Sequence, residues 1–172
     1  MRTFKVNVLP YDAAWAENFI AIRQQIVDAL GDLIEGVEHV GSTAVFGLCA
    51  KPCIDIDVII KDNSMLDPVK RALADIGYYH EGDLGIKGRE AFGYTDKPHL
   101  MKHHLYVCPR DSEELLRHLT FRDFLRDHPS LAEEYGRVKT EAAALYPDDI
   151  DGYIRHKAPC IERIYRECGL IK

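Results

Sequence analysis

Asp55 and Asp57 alternate with apolar residues in the run Ile54-Asp55-Ile56-Asp57-Val58-Ile59-Ile60. A run so rich in β-branched residues reads as a strand, and residues i and i+2 of a strand share a face. Both carboxylates therefore project to one side, while Ile54, Ile56 and Val58 project to the other. Like charges side by side on an apolar strand repel each other and resist desolvation. A divalent cation is the simplest compensation, and carboxylate oxygens suit Mg²⁺ or Mn²⁺. The bland alternatives are an exposed strand end or neutralisation by arginine and lysine. Upstream, Gly41-Ser42-Thr43 directly follows a short strand-like stretch, Val37 to Val40. Glycine lets backbone approach a ligand closely, and a serine hydroxyl with neighbouring N–H groups can bind phosphate oxygens. The lysine-bearing glycine-rich loop of the P-loop NTPases is absent, and alone Gly-Ser-Thr is an ordinary turn and helix cap.

Other candidates are imidazoles and cations. His103 and His104 begin the strand-like run His-His-Leu-Tyr-Val-Cys, so they face opposite sides and at most one joins the Asp55/Asp57 face. His103 is taken as that one, and His99, His103 and His104, near Cys108, could instead be metal ligands. Lys157 is four residues from both Tyr153 and Ile161, on an apolar helical stripe. A lysine there either snorkels outward or directs its ammonium into a polar cavity. Lys139 and Lys51 are weaker candidates of the same kind. His118, Arg122 and Arg126 form a cationic stripe at helical spacing, but Glu114, Asp123 and Asp127 are close enough for surface ion pairs. A solvated face is the cheaper explanation.

The elements that must position these residues follow from periodicity. Phe4 to Leu9 alternates like a strand, and Pro10 breaks it. Asp12 can cap a helix whose stripe is Trp15, Phe19, Ile22, Ile26 and Leu30, ended by Gly31. Met65, Val69, Leu73 and Ile76 predict a second helix, and the glycine-punctuated segment from Tyr78 to Tyr94 predicts a hairpin. Ser112 opens a helix to about Arg126, with His128-Pro129 as its stop. Ser130 and Glu133 have capping-box spacing for the next helix. A final helix follows Pro147, and Pro159 is expected to kink or restart it. The reading is an α/β (α+β) chain, a mixed sheet with flanking helices followed by a C-terminal helical cap, in one domain over residues 1–172.

Composition narrows the classes. Apolar residues make up 47% and charged residues 29% of the 172, which is ordinary for a globular protein. The net charge of −6 argues against bulk nucleic-acid binding but leaves room for a local anion pocket. No apolar run is long enough for a bilayer and no signal peptide opens the chain, so the expectation is no membrane and a cytoplasmic location. Five cysteines without a CxxC pair read as small apolar filler.

Together, a strand ending in Gly41-Ser42 and a second strand bearing Asp55 and Asp57 resemble the nucleotidyltransferase superfold. The longer string Glu38-His39-Val40-Gly41-Ser42-Thr43-Ala44-Val45, with Gly47-Leu48, Ala50-Lys51-Pro52 and Ile54-Asp55-Ile56, resembles the GrpB family (UPF0157). The resemblance runs on through Pro10-Tyr11-Asp12 with Trp15, Phe121 to Arg126 with His128-Pro129, Glu134-Tyr135, Lys139, and Tyr153 with Lys157. It implies that Gly41 and Ser42 hold phosphates and that Asp55 and Asp57 hold metal. It also tips Arg122 toward the site, and the family occurs fused to dephospho-CoA kinases. Two departures stand out: Phe46 where proline is usual, and Tyr106 where a histidine is usual. The third carboxylate of active nucleotidyltransferases has no counterpart between His99 and Cys108, so the resemblance implies that activating an attacking hydroxyl would fall to His103 or to a metal-bound water.

Three functions compete. The first is metal-dependent transfer of a nucleotidyl group from an NTP to an unknown acceptor, with Lys157 facing the departing pyrophosphate. The second is an inactive module that binds a nucleotide or CoA-like phosphate ligand. The third is a scaffold.

Overall fold

The computed structural model describes residues 5–172. Phe4, the start of the first expected strand, lies outside them, and of the described residues up to Pro10 only Leu9 forms a strand-like pairing, a single bridge to Ala50. Five strands form one mixed sheet: β1 (Gly36–Val40), β2 (Ile54–Ile60), β3 (Tyr78–Gly82), β4 (Glu90–Tyr94) and β5 (His103–Pro109). Their order across the sheet is β1-β2-β5-β4-β3. The central pair β2/β5 is parallel and the other neighbours are antiparallel. β2 and β5 are central because their apolar residues can be covered on both sides, whereas β3 is polar enough for an edge.

One face of the sheet carries Ile54, Ile56, Val58, Leu105 and Val107. It packs against Trp15, Ile22, Ile26 and Leu30 of α1 (Ala14–Leu30) and against Val69 and Leu73 of α2 (Leu66–Asp75). Each fully buried isoleucine contributes on the order of 1.5–3 kcal/mol, so this face anchors the sheet. Asp12 accepts a hydrogen bond from the Ala14 amide (2.8 Å) at the start of α1, and Gly31, at φ +48°, ends it.

The other face carries the acidic pair and receives α3 (Glu113–Asp127), α4 (Pro129–Leu145) and α5 (Ile150–Glu167). Leu125, Leu131, Tyr135 and Ile164 of this cap bury Val45 and Leu48, so the segment after Gly41-Ser42 is clamped by the helices. Ser112 caps α3 and Asp149 caps α5. The Ser130–Glu133 box does not cap α4: the helix begins at Pro129, whose ring removes the amide that a cap would satisfy, and Ser130 lies inside the first turn. α5 is one helix through Pro159, which sits on its exposed side, where an unpaired carbonyl can meet water. Among the described residues no helix is long and apolar enough to cross a membrane.

Candidate functional site

Strand register brings the polar residues into rows. Asp55 lies between Val40 of β1 and His104 of β5, and Asp57 lies between Glu38 and Tyr106. His104 Nδ1 is 2.9 Å from Asp55 Oδ1. Asp55 first, then Cys53, lifts the His104 pKa to about 10. Half of the His104 side chain is open to solvent, so the pair contributes no more than about 1 kcal/mol.

Asp57 is different. It is 0% exposed, and its Oδ2 is 2.6 Å from His118 Nδ1 on α3, whose Nε2 lies 3.3 Å from Glu114 Oε1. Burial raises the Asp57 pKa against the pull of His118. Burial also opposes charge on His118, but the bond to Asp57 and the charges of Asp57 and Glu114 overcome it and raise its pKa. The pair therefore holds a proton firmly. The second Asp57 oxygen, Oδ1, is buried without a hydrogen-bond partner.

His103, expected in the site, is on the opposite face. It pairs in register with Ile54 and is buried on the α1/α2 side, stacked on Tyr94 at 4.4 Å between ring centres. Its Nδ1 donates to the Met101 carbonyl (2.7 Å), so Nε2 accepts from the Tyr78 hydroxyl (2.7 Å). Burial lowers its pKa, consistent with this neutral tautomer. Alternation had separated the two histidines, but only the β2/β5 register shows that His104 is the one beside Asp55.

Gly41 lies against Asp55: a Cβ added there would fall 2.5 Å from Asp55 Oδ2, and φ is +75°. Next to it, His39 Nε2 is 2.9 Å from Thr43 Oγ1 and its ring stacks on Phe19, which ties the turn to β1 and α1. Gly41 and Ser42 form one wall of a cavity of about 300 Å³, with Asp55 and His104 at its floor. Lys51, Lys139 and Lys157 enter from other sides, among the rings of Phe121, Tyr135, Tyr153 and Tyr165.

Lys139 is only 2% exposed; its Nζ donates to the Cys49 carbonyl and lies 4.8 Å from the centre of the Tyr135 ring. Burial, followed by the positive charges of Lys157 and Lys51, drives its pKa down to about 7 despite the opposing influence of Cys49. Lys157 sits 4.5 Å and Lys51 5.6 Å from the centre of the Tyr153 ring. Burial, then Lys51, lowers the Lys157 pKa to about 8. Among the described residues no side-chain carboxylate is bonded to Lys139 or Lys157.

Arg122 does not line this cavity. Its Nη1 donates to Glu38 Oε2 (2.6 Å) and to the His39 carbonyl (3.0 Å), and its Nε to Asp123 Oδ1 (2.9 Å). Arg126 Nε donates to the Ala44 carbonyl (2.9 Å). The stripe of His118, Arg122 and Arg126 is thus the inner face of α3. It satisfies a buried carboxylate and two carbonyls that the strand and turn leave free. Spacing made the stripe visible; its partners come from segments far away in the chain.

The arrangement does not fit the divalent cation expected from the acidic pair. One oxygen of each aspartate is committed to an imidazole, Asp57 is sealed from the cavity, and the described residues hold no group of three or more His, Cys, Asp or Glu side chains disposed to bind a metal ion. His104 and His118 supply the compensation that a cation was expected to give.

A family model described as GrpB protein matches residues 5–167. A UPF0157 protein of Bacillus subtilis, YqkA, is 33% identical over 153 residues, covering 89% of this chain but 44% of its own length. The chain thus spans less than half of that relative. The crystal structure of conserved protein GrpB from Enterococcus faecalis superposes with a TM-score of 0.82 at 36% identity, over 94% of this chain and 96% of that one. The Cid1 poly(U) polymerase solved with MgGTP bound shares the fold at 10% identity, with a TM-score of 0.56 over 78% of this chain and 44% of its own. Strand order, the Gly41-Ser42 turn against Asp55 and these matches agree: the chain belongs to the GrpB family and has a nucleotidyltransferase-like fold.

Proposed function

We propose that the cavity binds a nucleoside triphosphate or a CoA-like phosphate ligand, and that binding is its primary role. The observation that carries this is that Lys51, Lys139 and Lys157 line one cavity together with the Gly41-Ser42 turn. Among the described residues Asp55 is the lone acidic side chain in the lining, and His104 already meets its charge. Two of the lysines are held below their ordinary pKa because burial leaves their charge uncompensated. An anion is what such a site lacks. Gly41 and Ser42 would hold phosphate oxygens through backbone N–H and hydroxyl groups, the lysines would neutralise them, and the tyrosines would pack against the remainder of the ligand. A volume of about 300 Å³ is at the lower end for small-molecule sites. Such ligands are cytoplasmic, and that is the compartment this reading implies.

The second reading is nucleotidyl transfer to an acceptor with Mg²⁺ or Mn²⁺ present. The unpartnered, fully buried Oδ1 of Asp57 favours it, because such an oxygen is costly unless it serves something. It requires His104 and His118 to leave the carboxylates.

One experiment separates the readings. Thermal melting is followed with ATP, CTP, GTP, UTP and CoA, with and without Mg²⁺ or Mn²⁺, while pyrophosphate release is read in the same wells. A rise in Tm with one ligand and no pyrophosphate supports the binding site. Metal-dependent pyrophosphate release supports transfer. No shift with any ligand would refute the phosphate-site assignment.

A further inference from the structure

A second depression of about 460 Å³ adjoins the cavity and shares Lys51, Cys53 and His104 with it. Its outer part is formed by Lys5, Asn7, Lys102 and Ile150, and among the described residues no acidic one lines it. The chain has 28 acidic and 22 basic residues, so a groove with three lysines and no carboxylate is a local reversal of the protein's own charge. The reversal is built by the fold. Lys51 and Lys102 precede the two parallel central strands and enter the sheet at the same end, where the Ile54 amide bonds to the Lys102 carbonyl (3.0 Å). Lys5 is held beside them because the Val6 amide bonds to the Pro147 carbonyl (2.8 Å). The described structure gives Lys5, Lys51 and Lys102 no acidic partner within ion-pair distance, whereas several exposed basic residues elsewhere are paired, among them Arg110, Arg137 and Arg163.

We infer that this groove binds a second phosphate group, next to the one held by Gly41-Ser42 and the inner lysines, with Lys51 and His104 as the shared wall. The inference rests on the inner cavity being a phosphate site, and it names the class of ligand further: either a nucleotide carrying phosphates at two separate positions, or a nucleotide together with a second phosphorylated molecule. Three ammonium groups facing one groove suit a phosphomonoester dianion better than a carboxylate, because the dianion offers more charge and more acceptor oxygens. Lys102 and Lys5 belong to the outer groove alone and are exposed, so changing them leaves the inner cavity and the core intact.

The test is calorimetric binding of AMP, adenosine 3′,5′-bisphosphate and inorganic pyrophosphate to the full chain, to the double variant Lys5→Glu/Lys102→Glu, and to Lys157→Ala. If one ligand spans both depressions, the bisphosphate binds about tenfold or more tightly than AMP, the worth of one charge-assisted contact, and the double variant erases the difference. If two ligands are used, AMP and the bisphosphate bind alike, pyrophosphate still binds to protein saturated with AMP, and the double variant loses that second event. Either result supports the groove. The inference is overturned if the double variant binds every probe as the wild type does. Failure of the inner site looks different: no nucleotide binds, and Lys157→Ala changes nothing. In that case, pyrophosphate binding that the double variant loses would still establish the groove, and its retention would overturn it.

Discussion

Ligand binding in the cavity should take up protons, and the amount follows from the two buried lysines. With pKa values of about 7 for Lys139 and about 8 for Lys157, at pH 8 the free protein carries roughly one-tenth of a charge on the first and half a charge on the second. A phosphate dianion among them favours the charged forms, so forming the complex should absorb about 1.4 protons at that pH. The sign is fixed by linkage: a complex that binds more protons than the free protein loses affinity as pH rises. The dissociation constant should therefore climb at least about tenfold per unit between pH 8 and pH 10, until the lysines of the complex also titrate. The assay is calorimetry at pH 8 in buffers of different ionisation enthalpy, using the ligand selected by the melting scan. The slope of observed heat against ionisation enthalpy gives the protons exchanged. Lys139→Met should lower the uptake to about half a proton, because only Lys157 then remains to be recharged. Heats that do not depend on the buffer, with ligand bound, would show that the phosphates do not meet these lysines.

The same lysine governs stability in the absence of ligand. Lys139 loses its charge near pH 7 when folded but keeps it to about pH 10.4 when unfolded, so stability should rise with pH across that window by up to about 1.4 kcal/mol per unit. Lys139→Met should remove the larger part of the rise, as read from urea unfolding at pH 7 and pH 9, leaving the smaller share that Lys157 contributes through its own lowered pKa of about 8. His118→Ala leaves the buried Asp57 carboxylate with neither oxygen partnered, and should cost about 3–5 kcal/mol in the same assay at pH 7. A loss below about 1 kcal/mol would mean that the pair is not formed as described. Gly41→Ala places a methyl carbon against Asp55 at a positive φ, so it should lower stability by at least about 1 kcal/mol and abolish the ligand-induced rise in Tm. An Ala variant that melts and binds like the wild type would remove the turn from the site.

The β2 and β5 runs, the two apolar helical stripes before the hairpin, the cap at Ser112 and the shared face of Asp55 and Asp57 were all legible in the chain, whereas Asp12 bonds the Ala14 amide from one residue before the N-cap position, which is Ala13. Each legible feature depends on residues a few positions apart, and local periodicity encodes such relations directly. The position of Lys157 was legible for the same reason: its helical neighbours are core residues. The α4 start was misread because a capping pattern sat one residue beyond a proline that already sets the helix end. Other features depended on residues far apart in sequence. Whether His103 or His104 meets Asp55 depends on the register between strands separated by a helix and a hairpin. Whether Arg122 serves the cavity or braces β1 depends on where α3 crosses the sheet. The replacement of a cation by two imidazoles, the sealing of Asp57 and the meeting of Lys51, Lys139 and Lys157 are set by the docking of the helical cap. Docking is a sum of long-range packing terms that no local pattern contains, so sequence supplied the residue types and their faces, and tertiary packing chose their partners.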